Sequence, residues 1–241
     1  MRMRVVGPVL LLVLAVAAPA RADVILTAQN LNEALKNLQR WRQQTAAGMV
    51  EQRAQATYDL ALEAEELATL MSDEVIAHGM QEKALLDLAV ERSKEVSVVI
   101  SYNPEKRKFF YDGAAFRDYL KLSPKGPAAS RCAFKIIEGE FYQSEGTEAA
   151  PILAAVKKKQ EFLVSYPTFE LNSEIHLMLA IDYRDLFRIY DDEGNAAKRA
   201  QYRDLVRQEY RTIMRQFPGS EQAGIARKLL DRFEEQLKQA R

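Results

Sequence analysis

An all-α chain assembled from paired helices is what this sequence predicts, and three observations carry that prediction. From Asp23 to Ser93 there is no proline, the only glycines are Gly48 and Gly79, and helix-favouring Ala, Leu, Glu, Gln, Arg and Met dominate. Apolar residues recur through that stretch at helical spacing. Beyond Tyr111, three segments each show an amphipathic run closed by proline and followed within a few residues by another such run.

The chain opens with Arg2 and Arg4, a short apolar run from Val5 to Val16, and Ala20-Arg21-Ala22. That is the pattern of a secretory signal peptide over residues 1–22, cut before Asp23. The rival reading, an uncleaved anchor, needs roughly 20 apolar residues, and this run is shorter and holds Gly7 and Pro8. Loss of Arg2, Arg4 and Arg21 leaves 31 basic side chains against 34 acidic ones, a slightly acidic protein expected to be periplasmic or secreted. The one cysteine, Cys132, lies far from the expected new N-terminus, so no lipid anchor is expected. Cys132 reads as a small buried hydrophobe, since no nearby histidine and no thiolate-stabilising cluster accompanies it.

Residues 23–95 read as an N-terminal helical unit. Leu31, Leu35, Leu38 and Trp41 mark a first helix with Asn30 or Asn32 as its cap. Leu60, Ala64, Leu67 and Met71 mark a second, and Leu85, Leu88, Ala89 and Arg92 a third. Gly48, Gly79 and Ser72-Asp73 are the expected breaks, with Asp73 capping the third helix. Residues 96–111 are ambiguous. Val96, Val98 and Ile100 alternate, as do Phe109 and Tyr111, around the turn Asn103-Pro104-Glu105-Lys106. A small β-hairpin packed on helices fits, and so does an irregular connector.

Residues 112–241 carry the repeat. The first unit runs Phe116, Tyr119, Leu120, Leu122, Pro124, then Ala128, Ala129, Ala133 and Phe134. The second runs Phe162, Leu163, Tyr166, Pro167, then Ile175, Leu179 and Ala180. The third runs Tyr210, Ile213, Phe217, Pro218, then Ser220, Ala223, Ala226, Leu229 and Leu230. Proline cannot continue the first helix of a pair and suits the start of the second, where its missing N–H goes unnoticed. The alanines let paired helices approach closely, and each pair buries its stripe by stacking on the next. Phe217-Pro218-Gly219-Ser220 with Ala223 and Ala226 resembles the tetratricopeptide (TPR) family. It is nearest to the family's exported members, such as the lipoprotein of outer-membrane β-barrel assembly and the periplasmic cell-division coordinator. Tyr166-Pro167 matches at the turn but lacks the alanines, and the prolines stand 43 and 51 residues apart against a usual period of about 34. The resemblance implies a short TPR-like solenoid that binds a protein or peptide.

Composition excludes several function classes. With 34 basic and 34 acidic residues there is no electrostatic footprint for nucleic acid. One cysteine and two histidines leave little for a zinc cage or acid–base chemistry, so no metal and no cofactor are expected. Three constellations merit naming. Glu74, His78 and Glu82 share the i, i+4, i+8 spacing that would align three ligands on an unbroken helix, but a solvated face is the plainer reading. Asp191-Asp192-Glu193-Gly194-Asn195 misses the calcium-loop register and reads as a polar turn ended by Gly194. Glu138 and Glu140, with Tyr142, offer carboxylates that a helix would point apart. The basic runs Lys106-Arg107-Lys108 and Lys157-Lys158-Lys159 read as solubilising surface. Tyr183, Arg184, Phe187, Arg188 and Tyr190, then Tyr202, Arg203, Tyr210 and Arg211, form an aromatic and arginine-rich region, partly core and partly groove lining. No catalytic residue is expected. The expectation is a non-enzymatic, exported scaffold that binds a protein partner in the bacterial envelope. The alternative is the helical scaffold of an envelope enzyme or metal-dependent module, for example a peptidoglycan-acting one.

Overall fold

The computed structural model describes residues 26–144 and 146–239, of which 76% are helical. Residues 1–25, with the expected leader and its cleavage site, lie outside the described residues. The helices in chain order are α1 (Ala28–Thr45), α2 (Val50–His78), α3 (Lys83–Glu95), α4 (Ala114–Leu122), α5 (Ala129–Gln143), α6 (Ala149–Ser165), α7 (Asn172–Asp192), α8 (Ala196–Gln216) and α9 (Glu221–Gln239). Between α3 and α4 lies one antiparallel hairpin, β1 (Ile100–Asn103) with β2 (Lys108–Tyr111), in the register Ile100–Tyr111 and Tyr102–Phe109. Of the two readings left open for residues 96–111, the hairpin is the one that forms.

The first core is built on α2, against which α1, α4 and β2 pack. Leu31, Leu38, Leu60, Ala64, Leu67 and Met71 are buried there as the periodicity predicts. Three local expectations change. Thr27, not Asn30 or Asn32, caps α1; Asn30 is its reciprocal partner, taking the Thr27 N–H at 2.7 Å and giving its own to Thr27 Oγ1 at 3.2 Å. Helix α2 runs without interruption through Ser72-Asp73 and stops at Gly79, whose φ of +68° is open to glycine without a side-chain clash. Ser72 is a staple instead of a break: its hydroxyl accepts the Phe109 N–H at 2.8 Å and donates to the Ala68 carbonyl at 2.7 Å, fixing β2 to α2. In α3 the buried face is Leu86, Ala89 and Ser93: Ala89 is buried as expected, while the expected Leu85, Leu88 and Arg92 lie one residue to the side of it.

The three proline turns share one geometry. Ser123, Tyr166 and Phe217 each precede proline, with φ/ψ of −143/68°, −131/61° and −126/50°. The ring of the following proline drives its predecessor out of the helical region. Each of the three donates its N–H to the carbonyl four residues back, on Tyr119, Phe162 and Ile213. Each then accepts at its own carbonyl from the residue three on, Gly126, Phe169 and Ser220. Those residues in turn accept from Ala129, Asn172 and Ala223. The prolines thus sit at the exit of α4, α6 and α8. They do not open α5, α7 and α9, which begin later at Ala129, Asn172 and Glu221. That corrects the expected placement, because each turn closes a further hydrogen-bonded step, at Gly126, Phe169 and Ser220, before the next helix starts.

Equivalent positions around the turn are equally buried. Counting seven back, four back and nine forward from the pre-proline residue gives Phe116, Tyr119 and Cys132 in the first pair. The same count gives Lys159, Phe162 and Ile175 in the second, and Tyr210, Ile213 and Ala226 in the third; all nine are buried. Neighbouring pairs pack on one another through α5 with α6 and through α7 with α8 and α9. Helix α5 joins the two cores, giving Ala129 and Cys132 to the first and Phe134 and Ile137 to the second. Phe134 meets Phe162 and Phe169 at ring separations of 6.5 and 5.5 Å.

Candidate functional site

An open groove of about 680 Å³ lies at the corner where the start of α1, the end of α2 and the start of α3 meet. That volume falls within the usual range for ligand clefts. Its apolar lining is Leu26, Ala28, Ala84, Leu85 and Leu88, and its polar lining is Thr27, Glu74, His78, Gln81 and Glu82. The groove exists because Gly79 ends α2 and turns the chain, so that α3 starts beside the last turn of α2.

Glu74 is 2% exposed, and both of its carboxylate oxygens are engaged. Oε2 accepts the Leu26 N–H at 3.1 Å, holding the segment before α1 against α2. Oε1 lies 2.9 Å from His78 Nδ1, whose side chain is 39% exposed at the groove. With the proton on Nδ1, this pairing leaves His78 Nε2 as an outward acceptor. Glu82 lies past the Gly79 turn and is exposed, so the three residues line one groove without sharing one helix. The solvated-face reading therefore fails at Glu74, which is a buried anchor. Among the described residues, no group of three or more His, Cys, Asp or Glu is arranged to hold a metal ion. Replacing Glu74 by alanine strands the Leu26 N–H in the core; the expected loss is about 1–3 kcal/mol in urea unfolding. Glu82→Ala should stay within about 0.5 kcal/mol.

The remaining candidates are dispersed. Asp191–Asn195 is a turn: Gly194, at φ +70°, follows the last residues of α7, and Asn195 caps α8 by accepting the Lys198 N–H at 3.1 Å. Glu138 pairs with Lys135 at 2.8 Å, which also reaches Glu65 of α2 at 2.8 Å, while Glu140 holds Lys158 of α6 at 2.8 Å. The two carboxylates serve different neighbours, and Tyr142 contacts neither by hydrogen bond; burial, with Glu138 and Glu174 nearby, pushes its phenol up to about 12. Cys132 is fully buried, and desolvation pushes its thiol up to about 12, far from a reactive thiolate.

Two of the basic-run readings change. Lys106 reaches from the hairpin turn to the carbonyls of Tyr142 and Ser144, satisfying the exposed C-terminus of α5. Lys159 is 1% exposed; its ammonium donates to Asp182 Oδ2 at 2.6 Å and stands 5.0 Å from the Phe141 ring centroid. Burial raises the Asp182 carboxyl to about 6, opposed by the Lys159 charge. The signal for Lys159 was available: at its place in the turn alignment the other pairs carry Phe116 and Tyr210.

The aromatic region is core. Tyr183, Phe187, Tyr190, Tyr202 and Tyr210 are buried, and Tyr190 stacks on Tyr202 at 5.4 Å and 13°. Its arginines, by contrast, stay outside the core. The chain matches no model of a known protein family, and no curated protein matches it.

Proposed function

We propose that this protein is a non-enzymatic, exported, TPR-like scaffold that binds a protein or peptide partner in the bacterial envelope. The observation that carries the reading is the threefold recurrence of one proline-turn geometry between packed helix pairs. Stacked pairs present long faces of rigid helix, a shape suited to recognition of another chain. The step from that architecture to binding rests on analogy with other helical repeats. Among the described residues, no helix is long and apolar enough to cross a membrane.

Two experiments test the reading. N-terminal sequencing of the exported protein should begin at Asp23; a chain that still begins at Met1 and sediments with membranes contradicts export as a free protein. Cross-linking in an envelope fraction with the full mature chain as bait should yield a discrete adduct of defined stoichiometry. A bait that forms none across growth conditions counts against the scaffold.

A second reading, a site with its own chemistry, is favoured by one feature: the Glu74–His78 pair at the edge of the α1–α2–α3 groove. A buried carboxylate that orients an accessible imidazole is the supporting half of an acid–base device. A binding or turnover signal abolished by His78→Gln, with folding intact, would select this reading over the scaffold.

A further inference from the structure

Helix α8 carries arginine at every fourth position from end to end: Arg199, Arg203, Arg207, Arg211 and Arg215. Four like-charged i, i+4 pairs in succession work against the helix that bears them. The first three rungs are neutralised. Arg199 Nε lies 3.0 Å from Asp191, and Arg203 Nε lies 2.8 Å from Asp204. Arg207 takes Glu234 of α9 with both arms, at 2.6 and 2.7 Å. Arg211 and Arg215 are exposed and form no ion pair among the described residues.

Four residues overshoot a 3.6-residue turn, so each rung advances by about 40° around the axis. The ladder therefore winds around α8 to its last two rungs, and Glu234 of α9, held low chiefly by its hydrogen bond from Arg207, also feels the Arg211 charge. The last two rungs stand beside the α8–α9 turn, and exposed Arg227, Lys228 and Arg232 follow on α9. Over residues 196–239 there are ten basic side chains against six acidic ones, so this end of a formally neutral chain is positive.

We infer that Arg211 and Arg215 complete a docking strip for an acidic polypeptide segment of a partner, a surface that deepens the scaffold reading and rests on it. The middle rung shows the mode: Arg207 grips a carboxylate borne on an adjacent helix through a two-armed contact. Rungs four residues apart rise about 6 Å, which matches carboxylates spaced i, i+4 on a helix. Asp231 and Glu235 stand exposed on α9. They repel a continuous polyanion such as an anionic lipid surface or a nucleic acid, whereas a short acidic segment can thread between them.

The test uses the full mature chain and a fluorescein-labelled helical peptide with glutamate at every fourth position, read by polarisation at low and high salt. The expected result is saturable binding that weakens with salt and falls roughly tenfold or more in Arg211→Glu/Arg215→Glu. The neutral pair Arg211→Gln/Arg215→Gln should weaken it in the same direction. Reversal of Lys157 and Lys158 on α6 should change it little. Circular dichroism melts of each variant confirm that folding is retained; should the glutamate variant fail to fold, the glutamine pair decides. Peptide binding that is absent in the wild type, or unchanged in the folded variants, overturns the proposal. Tighter ladder-dependent binding to phosphatidylglycerol vesicles or duplex DNA also overturns it. Envelope cross-links that persist in Arg211→Gln/Arg215→Gln would leave the scaffold standing while removing the ladder from it.

Discussion

Lys159→Met should cost about 3–5 kcal/mol at neutral pH, because it leaves the Asp182 carboxylate in the core without its counter-charge. The pair sits inside the second helix pair, with Asp182 Oδ2 2.6 Å from the ammonium and both side chains almost fully covered. The double variant Lys159→Met/Asp182→Leu should recover most or all of that loss, since a buried ion pair and an apolar pair of similar volume are often near equal in stability. The pH dependence has a definite sign. Burial raises the folded-state carboxyl from 3.8 to about 6. The stability this group contributes is therefore fully present below its unfolded value near 3.8 and is lost as pH rises through about 6. Without Lys159 the carboxyl rises further, so the single variant should be much less impaired at pH 5 than at pH 8. Urea unfolding of the wild type, single and double variants at both pH values checks this. Equal losses at the two pH values, or a double variant as unstable as the single, would refute it.

Phe134→Ala should cost about 3–5 kcal/mol and also change the shape of unfolding. Phe134 is buried at the point where α5 passes from the first core to the second, in contact with Phe162 and Phe169. A cavity there weakens the α5–α6 contact and leaves the α2-centred core untouched. The unfolding curve should broaden or split, with the unit from α6 to α9 melting first. A single sharp transition, merely shifted, would mean that the two cores do not separate at α5.

Helix existence was legible because apolar periodicity needs no tertiary partner to be seen, and the proline punctuation located α4 to α9 by pairs. What the periodicity could not show was which polar side chains turn inward. Glu74 and Lys159 both look like surface residues in one dimension. Their burial depends on a backbone N–H at Leu26 and a carboxylate at Asp182, 48 and 23 residues away in sequence. Asp73 made a plausible cap, yet α2 continues past it because Ser72 finds a partner in β2 that no local rule anticipates. The groove was hidden for a related reason. Gly79 was expected to break a helix, but the direction in which the chain leaves it, and hence the meeting of His78 with Leu85 and Leu88, is set by packing. The arginine ladder was visible as spacing; only the pairing of its first three rungs and the exposure of the last two gave that spacing a meaning.

Amide hydrogen exchange on an Ala226→Leu variant tests the stacked-pair architecture most directly. Ala226 is fully buried on α9, at the place equivalent to Cys132 and Ile175 in the other pairs. A larger side chain there overpacks the seam, at a cost of about 1–3 kcal/mol. In a stack, the last pair contacts only its neighbour, so protection should fall first in residues after about Gln201 and persist from α1 to α5. Protection that falls uniformly along the chain, or does not fall at all, would contradict the reading of this protein as stacked helix pairs.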